Sequence, residues 1–97
     1  MDGQKYDDHI EELLRKDGFH MQPSGRSGTI FYVDKRRLLG IYFEISGVSK
    51  YDLLIFWNDN MMWTIPEGER VNGAELPVIK ERLRDWLRKE GIRGDLG

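Results

Sequence analysis

The hydrophobic period of this chain changes twice, from helical to alternating and back to helical, and those changes predict its elements. Tyr6, Ile10, Leu13 and Leu14 recur at helical spacing, with Asp8, Glu11, Glu12 and Arg15 on the other side of the cylinder. An amphipathic first helix follows. Asp8 and Glu11 read as a capping box, Arg15 and Lys16 suit the last turn, and Gly18 supplies the stop. Phe19 and Met21 open a short extended segment, a candidate extra strand, before Gln22-Pro23-Ser24-Gly25-Arg26-Ser27-Gly28, whose composition reads as a loop.

Thr29 to Val33 and Leu39 to Ile45 then read as strands around the polar corner Asp34-Lys35-Arg36-Arg37. After a turn at Gly47 to Tyr51 comes the stretch DLLIFWNDNMMWTIP, Asp52 to Pro66, which predicts a β-hairpin with Asn58, Asp59 and Asn60 as a three-residue loop. That register sets Trp57 against Met61, Ile55 against Trp63 and Leu53 against Ile65, whereas a two-residue loop mixes the faces. Pro66-Glu67-Gly68 ends the strand. Helical spacing returns with Leu76, Ile79, Leu83, Trp86 and Leu87, opened by Pro77 and closed at Gly91.

The order is helix, four strands, helix. The expected fold is a single α+β domain over residues 1–97, a four-stranded antiparallel meander flanked by an N-terminal and a C-terminal helix. Both helices are expected on the face carrying the odd-numbered residues, with Trp57, Trp63 and Trp86 in one core. The even-numbered face would then hold Ile30, Tyr32, Tyr42, Leu54, Phe56 and Met62, interrupted by Glu44 and Thr64. Open antiparallel sheets normally carry polar residues there. Either a helix or the Phe19 to Gln22 segment crosses to cover it, or it is an exposed aromatic surface for a partner or a second copy of the chain.

Composition narrows the function. A formal net charge of −2 and an isoelectric point near 5.7 argue against a dedicated nucleic-acid or membrane binder. The chain has no cysteine, so disulfides and thiolate metal sites are excluded. The polar, acidic start MDGQKYDDHIEE has no signal pattern, and the cytoplasm is the expected compartment. His9 and His20 lack a carboxylate or metal partner in the sequence pattern, and Glu44, Asp52, Asp59, Glu67 and Glu69 are scattered over strands and turns. Gly25-Arg26-Ser27-Gly28 lacks the Gly-Lys-Ser/Thr ending of a phosphate loop. No enzyme, metal or cofactor is expected.

The layout of helix, antiparallel strands and helix is shared with RNA-binding domains, which keeps an RNA-binding module as an alternative. Yet the second helix opens Gly73-Ala74-Glu75-Leu76-Pro77 rather than with lysines, and the only tight basic cluster is Lys35, Arg36 and Arg37.

The C-terminal half, YDLLIFWNDNMMWTIP, then an acidic Gly-containing loop, then a helix finishing LRDWLRKEGI, resembles the small immunity proteins of bacterial polymorphic-toxin systems, specifically immunity protein family seventy-four. The resemblance implies a non-catalytic protein that neutralises a cognate toxin by stoichiometric binding. It carries over no binding residue. From the face argument alone, Tyr32, Tyr42, Glu44, Asp52, Phe56 and Met62 are expected to form the partner surface, with aromatic anchors at its centre and acids at its rim. A homodimeric interaction domain would use the same face symmetrically.

Overall fold

A computed structural model describes residues 8–96 of the chain. It is an α+β domain in which a five-stranded sheet of order β1-β2-β3-β4-β5 lies between two helices. Helix α1 (Asp8–Leu14) leads into β1 (Gly18–Ser24), β2 (Ser27–Asp34), β3 (Arg37–Ile45) and β4 (Leu53–Ile55), and α2 (Leu76–Lys89) is followed by β5 (Gly94–Asp95). The first four strands form an antiparallel meander, and β5 joins β4 in parallel. Tyr6, expected in the first helix, lies outside the described residues.

The meander starts earlier than its composition suggests. Residues 22–28, expected as a loop, are paired strand: Gln22 faces Thr29, Pro23 faces Gly28, and Ser24 faces Ser27 around the two-residue turn Gly25-Arg26. Pro23 is tolerated because β1 is an edge strand. The next turn is equally tight, since Asp34 faces Arg37 and both Lys35 and Arg36 take positive φ, 52° and 63°, as a type I′ turn requires.

Two-residue turns change which residues share a face. With Ile30 opposite Ile41 and Tyr32 opposite Leu39, even positions of β2 align with odd positions of β3. The main core therefore holds Ile30, Tyr32, Leu39, Ile41, Phe43, Leu53 and Ile55 under the α2 stripe Leu76, Ile79, Leu83 and Leu87. Phe31 and Val33, expected there, point the other way. They join Leu38 and Ile65 under Ile10, Leu13 and Leu14 of α1 in a second, smaller core. The two helices thus lie on opposite faces of the sheet, not together, and Ile45 is exposed instead of buried. Trp63 is buried in the main core, with Trp57 and Trp86 packed against it as expected.

The Asp52 to Pro66 stretch does not fold back on itself. Leu53 and Ile55 pair with Ile45 and Phe43, the Phe56 N–H reaches the Tyr42 carbonyl at 2.9 Å, and Thr64 and Ile65 then pair with Leu38. One interrupted strand runs the length of β3. The expected hairpin would have left the Leu38 end of that edge without partners, whereas this path satisfies it. Asn58 to Asn60 makes a local kink, the Asn58 side-chain oxygen accepting the Asn60 N–H at 2.7 Å. The reversal comes later, after the cis Ile65-Pro66 bond and Gly68, where Glu69 and Val71 return to Trp63 and Met61.

The helix ends follow local chemistry. Gly91, at φ 71°, closes α2 in a Schellman arrangement: its N–H donates to Arg88 and the Ile92 N–H to Leu87. At the start, Pro77 occupies the first turn as expected. The capping box does not form. Asp8 stands inside the first turn of α1, and the Glu11 carboxylate accepts from Arg36 at 3.2 Å.

Candidate partner-binding face

The uncovered part of the α1 face follows from lengths. Among the described residues α1 has 7 residues, and it packs over the Val33, Leu38 and Phe31 end of the sheet. Toward the other end, strand alternation places Thr29, Tyr42, Glu44, Leu54 and Phe56 on this same face. No described residue of either helix covers them. Tyr42 is 46% exposed and Phe56 49%, and their rings sit 5.3 Å apart between centroids, tilted by 37°. The Tyr42 hydroxyl donates to Glu44 Oε2 at 3.2 Å, which fixes the phenol and leaves a carboxylate at the edge of the aromatic pair.

Alternation also explains Met62. It lies between Met61 and Trp63, both buried in the main core, so its side chain points away from that core and is 50% exposed. Thr64, the next outward residue, reaches within 3.5 Å of where a Gly40 side chain would begin, beside Thr29 and Phe31. Gly40 thus leaves a shallow place in the sheet between the aromatic pair and α1. A groove of about 450 Å³ lined by Ile10, Leu38, Thr64, Ile65 and Glu67 lies next to α1 on this side.

Of the six residues expected at a partner surface, the structure brings Tyr42, Glu44 and Phe56 together and puts Met62, exposed, on the adjoining 61–65 segment. Tyr32 is corrected. It is 3% exposed and belongs to the opposite face, stacked on Phe19 at 4.8 Å and accepting a hydrogen bond from Arg82 at 2.6 Å. The cause is the two-residue turn, which puts Tyr32 and Tyr42 on opposite sides although both are even-numbered. Asp52 is not a free rim acid either. Its carboxylate takes the Arg93 guanidinium at 2.9 Å and the Arg93 N–H at 2.8 Å, and these bonds hold its pKa below the usual carboxylate value.

Leu54 was expected on the even-numbered face but not at the partner surface, and Thr29 and the groove were not singled out in the sequence. Thr29 was signalled only by the cross-strand register with Tyr42. Among the described residues, no group of three or more histidine, aspartate or glutamate side chains could hold a metal ion. His9 bonds Gln22 and His20 bonds the Lys16 carbonyl, each at 2.8 Å. No helix among the described residues is long and apolar enough to cross a membrane.

Comparison with known proteins finds no matching family model, curated protein or solved structure.

Proposed function

We propose that this chain is a non-catalytic protein-binding module that docks one partner on the Tyr42 and Phe56 face. The observation that carries the reading is the half-exposed aromatic pair on the stretch of sheet that no described residue of either helix covers. Folding alone gives no reason to leave two stacked aromatics in water, whereas a partner gains by burying them. Glu44 beside the pair and Glu67 at the groove supply acids at the margin, which suits a partner with a basic surface.

The sequence resemblance of the C-terminal half gives the reading its specific form: an immunity protein of the cytoplasm, whose partner is a cognate bacterial toxin. Support comes from the pattern of Tyr51 to Pro66, whose segment runs along β3 and carries Phe56 of the aromatic face, and of the helix running into Gly91-Ile92, which packs on the other side of the sheet. The test is to purify the chain with the protein encoded immediately upstream of it and to measure stoichiometry and toxin activity. A 1:1 complex that abolishes toxicity is the expected result. A self-associated dimer that dissociates when Tyr42 and Phe56 are changed would replace the toxin with a second copy. No association through this face with either would remove the proposal.

A further inference from the structure

On the α2 side of the sheet, away from the aromatic face, a pocket of about 360 Å³ opens between the β2–β3 turn and the start of α2. Its lining includes Tyr32, Asp34, Lys35, Arg37, Glu75 and Arg82. Its charges are unevenly committed. Arg37 is satisfied, pairing with Glu75 at 2.7 Å and Asp34 at 2.8 Å while its guanidinium lies 4.2 Å over the Trp63 ring. That pairing gives both carboxylates of the pocket one shared cation and leaves the three groups with a single negative charge. Arg82 and Lys35 have no carboxylate within ion-pair distance among the described residues. The pocket therefore holds three cations against two carboxylates.

The buried phenol is the second observation. Tyr32 is 3% exposed, and its oxygen already accepts from Arg82 Nη1 at 2.6 Å, so its own proton needs an acceptor. No described residue supplies one. The phenol thus keeps a free donor on the pocket lining, beside a guanidinium that has no carboxylate partner among the described residues. The first turn of α2 adds a third donor: Pro77 has no N–H, and the Val78 N–H finds no protein acceptor among the described residues.

We propose that this pocket binds the carboxylate of a small organic acid, held by the Arg82 guanidinium and the Tyr32 hydroxyl, with Lys35 and the start of α2 adding positive potential. A monoanion matches the single excess cation, whereas a dianionic phosphate would meet Asp34 and Glu75 across the pocket. Ala74, Val78 and Ile79 supply an apolar wall for the carbon skeleton. The volume falls in the roughly 300–1,000 Å³ range of small-molecule sites. The site is independent of the partner face and stands or falls separately from it.

The test is a titration of the whole chain with sodium butyrate, and separately with inorganic phosphate, followed by nuclear magnetic resonance of the Arg82 side-chain N–H and the Val78 amide. Butyrate should shift both signals saturably, and more tightly than phosphate. Arg82→Gln should weaken butyrate about tenfold or more, the loss of one charged hydrogen bond. Tyr32→Phe, which keeps the buried ring, should weaken it as well, and Arg84→Gln on the outer surface of α2 should leave it unchanged. Absence of a saturable shift, an equal response in Arg82→Gln, or tighter binding of phosphate would each overturn the proposal, and the pocket would then hold solvent alone.

Discussion

Replacing Gly28 by alanine tests the register on which the sheet is built. A Cβ at this position would lie 2.6 Å from the Gln22 carbonyl oxygen and 2.6 Å from Phe43 Cζ. Ordinary contacts between carbon atoms are about 3.5–4.0 Å, so the methyl needs roughly an ångström on two sides at once. Neither side gives easily. Gln22 is held by the β1 and β2 ladder, and Phe43, directly opposite Gly28, is 1% exposed. Overpacking of this kind costs about 1–3 kcal/mol, and the entropy removed from the unfolded chain by a Gly→Ala change returns about 0.4–1 kcal/mol. The expected net loss is about 1–2 kcal/mol, or several degrees in Tm for a domain of this size, on the scale of about 4–8 °C per kcal/mol. Urea unfolding followed by tryptophan fluorescence should show a lower midpoint with an unchanged slope. Adding Phe43→Leu should recover part of the loss, because the two positions share one space, with a coupling on the order of 0.5–1 kcal/mol. A neutral or stabilising Gly28→Ala would mean that residues 22–28 form the loop their composition suggests, and the paired strands would be wrong.

Trp63→Ala should cost about 3–5 kcal/mol, as large aromatic truncations in packed cores do, because Trp63 is 2% exposed and carries the Arg37 guanidinium on its ring; a loss below about 1 kcal/mol in the same urea experiment would contradict its place in the core. Gly91→Ala should cost about 1–2 kcal/mol for forcing a side chain into the left-handed region, read from thermal unfolding, and no loss would mean that α2 does not end in the observed turn. Asp52 is held below its ordinary 3.8 by Arg93, so its contribution to stability is fully present above 3.8 and is lost as pH falls through its lowered folded value. A carboxyl titration should find Asp52 low in the native chain and back in the ordinary range in Arg93→Ala; an unchanged value in the variant would show that the pair does not form in solution.

Helices and core composition were legible because a 3.6-residue period and glycine or proline punctuation are local signals. The α2 stripe, Pro77 and Gly91 all act within a turn or two of chain. Face assignment was not local. The Asp34 to Arg37 corner could be read as a turn, but whether its loop held two residues or three decided whether Tyr32 fell beside Tyr42 or behind it. Residues 22–28 carried loop composition because a two-residue turn and an edge proline use the same residue types as a loop. The Asp52 to Pro66 stretch failed for a different reason. Its alternation satisfies a hairpin and a long edge strand equally, and only the unpaired edge of β3, a tertiary fact, chooses between them. Of the residues expected at a partner surface, Tyr42, Glu44 and Phe56 share one face because the longer connection between their neighbouring segments kept their parity. The short β5 gave no signal, its pairing being backbone to backbone at Gly94 and Asp95.

As the centre of a docking surface, Tyr42 and Phe56 should matter to binding far more than to folding, whereas a loosely packed edge of the core would show the reverse. Isothermal titration of the partner against the native chain, Tyr42→Ala, Phe56→Ala and the double variant, with urea unfolding of each free protein alongside, measures both possibilities together. Aromatic anchors at interface centres are worth about 2 kcal/mol or more each, so each single change should weaken binding about 30-fold, while stability of the free chain falls by less than about 1 kcal/mol, as expected for half-exposed side chains. Unchanged affinity in the double variant, or loss of binding that tracks unfolding of the free protein, would contradict the assignment.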